Sequence, residues 1–209
     1  MNNYWGRVYL YCYPMQPCLI GPLDCVNKAE AALRSTMRRL WGEHTAWTRA
    51  TVSSLVYAIP DANIVVARLL RTATDMGGAL RPFYGDEIAK GYGKLLTEHI
   101  TLAGDLINAT LIGNVEKIAV KEKNWFRNGT EIALFLNSIN PYISAVEFQE
   151  MFDEHLVLIK QGMISMLDKD FKASVNLFDL MEIDVLEIAD MITYAIVKQF
   201  PYKFMSVYG

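Results

Sequence analysis

Apolar residues in this chain recur at a four-three spacing over long stretches, and Pro, Gly and Asp interrupt the pattern only at short breaks. A chain patterned this way buries its apolar stripes by packing helix on helix. Behind Asn27, which can cap, Leu33, Met37, Leu40, His44, Trp47, Thr51 and Leu55 form the first stripe. It is predicted to run to about Ile59, where Pro60 and Asp61 stop it and start the next helix. A second helix is expected over about 61–80, ended by Gly77-Gly78 and Arg81-Pro82, with Phe83-Tyr84-Gly85 as the connection. A third spans about 86–112, and a fourth spans about 115–139 behind Asn114 as cap. The fifth follows Ser144-Ala-Val-Glu147, which has the form of a capping box. The sixth covers about 171–199, with Pro201 closing it. Two phases fit its inner face. One buries Val175, Asp179, Glu182, Leu186, Ala189, Thr193 and Ile196, and the other brings Glu187 and Asp190 close to the interior. The expectation is an all-α chain: a bundle of about six helices, four of them long core helices, forming one domain over residues 26–209.

Residues 1–25 break the pattern. Tyr4, Trp5, Tyr9, Tyr11 and Tyr13 mix with Pro, Gly and Cys, and Arg7-Val-Tyr-Leu-Tyr-Cys-Tyr13 alternates in a strand-like way. This segment reads as an extended arm. All three cysteines of the chain, Cys12, Cys18 and Cys25, lie in it. Their spacing matches no zinc-ribbon pattern, and the odd number leaves free thiols or cross-links between subunits. The formal charge of -3 supplies no basic patch for nucleic acid. No apolar run approaches the roughly 18 residues of a membrane span, and Pro14, Pro17 and Pro22 interrupt any signal-like segment. A cytoplasmic location, or attachment to a spore or cell surface without a signal peptide, follows.

The chain has three histidines, and each follows a glutamate: Glu43-His44, Glu98-His99 and Glu154-His155, about 55 residues apart. Each histidine falls on an apolar stripe, among residues such as Tyr92, Leu95, Leu102 and Leu106 for His99, and Phe148, Phe152, Ile159 and Met166 for His155. Burying an imidazole without a partner costs about 1–3 kcal/mol. Three inward imidazoles with none on the surface therefore call for compensation. A divalent metal (zinc, iron or manganese) held by His44, His99 and His155 plus an oxygen ligand would supply it. Glu182, Asp190 and Glu131 are the candidate carboxylates, with Glu187 and Asp75 behind them. Glu43, Glu98 and Glu154 lie about 100° round the helix from their histidines and are candidates for the groups that orient the rings. So is Asn128, the one polar residue on the fourth stripe. The alternative is that each histidine hydrogen-bonds a Glu, Asn or Thr of a neighbouring helix inside ordinary packing. The di-iron Glu-x-x-His pattern is absent, and no Ser-His-Asp or Cys-His set or phosphate loop is legible.

Leu40-Trp-Gly-Glu-His-Thr-Ala-Trp-Thr-Arg49, Asn128-Gly-Thr-Glu-Ile-Ala133, Ser138-Ile-Asn-Pro-Tyr142, Glu154-His-Leu156 and Lys198-Gln-Phe-Pro201 resemble a family of short helical proteins of spore-forming bacteria. The resemblance covers residues 39–201 and implies a helical bundle with inward histidines. Some members of that family are called acetylglutamate kinases, yet this chain lacks the glycine-rich loops and α/β pattern such an activity requires. Two functions are therefore expected. One is a metal-binding bundle. The other is a self-assembling subunit of spore-coat or surface-filament type, a homo-oligomer joined through the arm and its cysteines. A small-molecule ligand in an apolar pocket, lined by some of the ten methionines, is a third reading.

Overall fold

In the computed structural model, residues 27–205 are described; the expected arm at 1–25, with Cys12, Cys18 and Cys25, lies outside them. Five helices follow one another: α1 Lys28–Val56, α2 Ala62–Ile112, α3 Val115–Ile139, α4 Ala145–Leu167 and α5 Phe171–Gln199. A 3₁₀ turn, Pro201–Lys203, ends them, and no strand occurs among the described residues. Each helix packs on the next, and α5 closes back on α1, so the helices form a ring around one apolar core. That core contains Trp41, Leu80, Tyr92, Trp125, Phe148, Phe152 and Met181, all essentially out of contact with solvent.

Local chemistry sets the ends of these elements. Asn27, Asn114, Ser144 and Asp170 each accept a bond from the backbone N–H three residues on, at 2.9, 2.9, 3.3 and 2.9 Å, satisfying donors the helix itself leaves unpaired. α1 stops at Val56 rather than near Ile59. Ala58 turns into the left-handed region (φ 50°), Ala58 N–H donates to the Leu55 carbonyl, and Ile59 N–H donates to the Ser54 carbonyl. This paired closure is what Gly usually makes. Gly113 makes it at the end of α2 (φ 71°), and Lys169 makes it after α4 (φ 60°).

The largest departure from expectation is α2. Residues 77–85 do not form a break and a loop: the helix runs through Gly77, Gly78 and Pro82, and Phe83 and Tyr84 are helical. One residue, Gly85, carries the interruption with φ 82° and ψ 177°, a conformation open essentially to glycine alone. The two arms fold back on each other there. A Cβ built on Gly77 would stand 2.5 Å from the Ala89 carbonyl oxygen and 3.0 Å from Gly93 Cα, so residues 16 positions apart meet backbone to backbone. Gly77 and Gly93 are thus the contact that closes the hairpin, and the expected loop is a one-residue hinge.

This arrangement separates two neighbouring glycines. Gly77→Ala drives a methyl into backbone and should destabilise the fold by about 2–4 kcal/mol. Gly78→Ala meets nothing within 4 Å and should gain about 0.5–1 kcal/mol from helix propensity. Urea unfolding of the two variants checks the pair.

Candidate functional site

The three histidines project into the ring from α1, α2 and α4, and all are buried, His155 completely. The ring centres of His44 and His155 are 6.1 Å apart. Phe152 stands between His155 and His99, at 5.7 Å from the first and 5.0 Å from the second. The Glu-His dipeptides divide as helical geometry requires. Glu98 and Glu154 are exposed, while Glu43 binds Arg39 and Arg68 on the outer surface. None of the three glutamates orients its neighbouring imidazole.

Two of the rings instead find a hydrogen-bond acceptor on another element. Thr72, on the first arm of α2, commits its hydroxyl proton to the Leu69 carbonyl at 2.6 Å and so offers His44 only a lone pair. His44 Nδ1, 3.2 Å from that oxygen, is therefore the protonated nitrogen, and its Nε2 is a bare lone pair. Asn128 acts likewise on His99. Its Nδ2 donates to the Leu95 carbonyl at 3.3 Å, which fixes Oδ1 toward His99 Nδ1 at 3.0 Å. His99 Nε2 then accepts the indole N–H of Trp125 at 3.2 Å. His99 is thus a neutral imidazole with both nitrogens satisfied.

His155 is different. Its Nδ1 lies 3.2 Å from Asp184 Oδ2, close enough for an ion pair but not aligned as a hydrogen bond. Its Nε2, also buried, has no partner at all. A carboxylate beside one ring nitrogen and an unpartnered second nitrogen is the arrangement by which proteins orient a metal-binding or proton-accepting histidine.

The carboxylates singled out from the sequence stand elsewhere. Glu182 is exposed, Glu131 faces Arg127 at 3.5 Å on the surface, and Asp190 receives Arg38 Nε at 2.8 Å. Of the further pair, Glu187 is exposed and Asp75 faces Arg71 at 3.4 Å. Of the first expected phase of the last helix, Ala189, Thr193 and Ile196 are buried, whereas Val175, Asp179 and Glu182 are exposed; the second, with Glu187 and Asp190 inward, is rotated away from the core. The buried line of α5 is Ser174, Phe178, Met181, Val185, Ile188, Ile192 and Ala195, with Ala189, Thr193 and Ile196 beside it. That line repeats at four-three spacing and is apolar from Phe178 onward, so the signal was present. Asp184, next to Val185, is the residue the other phases hid. Among the described residues no three His, Cys, Asp or Glu side chains already converge on a common metal position.

Beside His44 and His99 lies an apolar cavity of about 50 Å³, walled by residues that include Leu69, Ile100, Ile107 and Trp125. Two further wall residues, Thr48 and Thr51, have buried hydroxyls without hydrogen-bond partners. A space of this size holds a few water-sized molecules. Compared with known protein families, curated proteins and solved structures, the chain shows no match.

Burial, followed by the charges that His155 and His99 would carry, holds the His44 pKa well below the ordinary histidine value. Burial, then His155, brings His99 down to about 3, against a smaller upward pull from Asn128. The folded protein therefore keeps both neutral while the unfolded chain protonates them near pH 6.5. Between that pH and the folded values the unfolded state binds more protons, so stability is complete above about pH 7 and falls on acidification. At pH 5 His99 should account for a loss of about 2 kcal/mol, and His44 adds a further loss in the same direction. Urea titrations at pH 7.5 and 5.0 measure it, and in His99→Gln the loss should be smaller by one histidine's share.

Proposed function

We propose that the bundle binds one divalent metal ion at its histidine centre, with Nε2 of His44 and Nε2 of His155 as the protein ligands. The observation that carries this is the buried, partnerless Nε2 of His155 beside a second imidazole whose Nε2 is also a lone pair. Two imidazoles on one ion, at about 2.0–2.1 Å per nitrogen, have ring centres up to roughly 6 Å apart. The observed 6.1 Å lies at the open end of that range. Thr72 accepts from Nδ1 of His44 and so fixes which of its nitrogens is offered, while Asp184 lies 3.2 Å from Nδ1 of His155. Zinc, iron and manganese all accept such nitrogen donors. An ion with two protein ligands keeps open positions, and the adjoining cavity has room for the water or small molecule that would fill them.

His99, with both nitrogens satisfied by Asn128 and Trp125, is not a ligand in this reading. Protein purified without chelator is expected to carry metal, and Co(II) added to stripped protein is expected to give nitrogen-ligand absorption at about one ion per chain. His155→Ala should abolish that absorption. Equal and negligible metal uptake by the wild type and His155→Ala would falsify the assignment.

A second reading is the assembling subunit. Leu180, Ile183 and Tyr194 share one face of α5 and are 52, 57 and 56% exposed, an apolar strip of the kind that contacts between copies cover. If light scattering finds the chain without residues 1–25 and the full chain equally monomeric, this reading is excluded.

A further inference from the structure

On the outside of the bundle, α1 and the first arm of α2 border a groove of about 530 Å³, within the size range of small-molecule sites. Its walls carry Arg39, Arg68, Arg71 and Arg81 against only Glu43 and Asp75. The groove walls thus carry an excess of cations on a chain whose formal charge is -3. Every cation in it is an arginine, whose planar fork suits anions with several oxygens.

The arginines are held in two ways. Arg68 is the most sheltered, at 25% side-chain exposure. Its guanidinium lies over the Trp47 ring at 5.0 Å, its Nη2 donates to Glu43 at 3.0 Å, and its Nη1 is buried with no hydrogen-bond partner. Arg39 donates to the other oxygen of Glu43 at 2.5 Å, so one carboxylate serves two guanidiniums and its pKa is held below the usual range. Arg71 and Arg81 meet Asp75 and Asp86 at 3.4 and 2.7 Å and are 68 and 59% exposed. Ion pairs so exposed contribute little and exchange readily for a better anion. The groove therefore combines one fixed guanidinium, short of acceptors, with three that can close on a ligand.

We propose that this groove binds a small soluble molecule bearing a phosphate or pyrophosphate group, with Arg68 as the fixed anchor and Arg39, Arg71 and Arg81 closing around the phosphoryl oxygens. Its concave form favours a soluble ligand over a lipid headgroup in a flat surface. The site stands apart from the histidine centre and does not depend on a metal there.

Calorimetric titration of the full chain with inorganic pyrophosphate at low ionic strength tests the proposal. Saturable binding of one pyrophosphate per chain is expected. Arg71→Gln/Arg81→Gln should weaken it at least tenfold, with an unchanged far-ultraviolet melting curve. Lys117→Gln/Lys123→Gln, which removes two cations of α3, should leave it within twofold. Absence of saturable binding overturns the proposal, and so does equal loss in both double variants, which would indicate unspecific charge. Binding to phosphatidylglycerol vesicles without binding of pyrophosphate overturns it in favour of a membrane surface.

Discussion

The fold is organised around the need to hold three imidazoles inside an apolar ring. Burial disfavours the protonated forms of His44 and His99, and a nitrogen left without a partner costs about as much as a lost hydrogen bond. The bundle answers with acceptors drawn from other elements: Thr72 from α2 for His44, Asn128 from α3 for His99, Asp184 from α5 for His155. Each of these bonds or contacts also ties one helix to another across the ring. The polar centre and the packing of the helices are one arrangement, and neither can shift without the other.

The three rings are not equivalent in that arrangement. His99, between Asn128 and Trp125, is closed on both sides and behaves as a structural imidazole. His44 is closed on one side and borders the cavity. His155 is the least satisfied, since its contact with Asp184 is close but misaligned and its other nitrogen meets nothing. The least satisfied part of this centre therefore lies on the His44–His155 side. The orphaned hydroxyls of Thr48 and Thr51 lie in the wall of the same cavity that His44 borders, which extends the unsatisfied region along α1 by two turns.

Much of this was legible in the sequence. The inward phase of His44, His99 and His155, the capping roles of Asn27, Asn114 and Ser144, and the position of Asn128 on the fourth stripe all follow from spacing. What escaped was of two kinds. Asp184 was hidden because α5 has two polar-containing phases competing with its apolar one, and periodicity alone does not say which acid flanks the winning line. Thr72, on a buried face beside Leu69, Ala73 and Met76, gives no sign in sequence that it will meet a ring from another helix. The Glu-His dipeptides misled for a geometric reason. Adjacent residues on a helix diverge by about 100°, and on the preceding side of each histidine that turn carries Glu43, Glu98 and Glu154 out of the core, while Thr45, Ile100 and Leu156 on the following side stay buried.

The hinge at Gly85 gives this centre an unusual mechanical dependence. Thr72 and His99 sit on opposite arms of α2, 13 and 14 residues from the glycine, and thus each about 20 Å along its arm. A change of about 10° in the angle between the arms would separate the two positions by roughly 3–4 Å, more than the length of any hydrogen bond in the centre. The Gly77–Gly93 contact, lying between hinge and histidines, is what prevents that opening. Alignment of the interior chemistry is thus set by a single backbone torsion at the rim and locked by two residues that have no side chains.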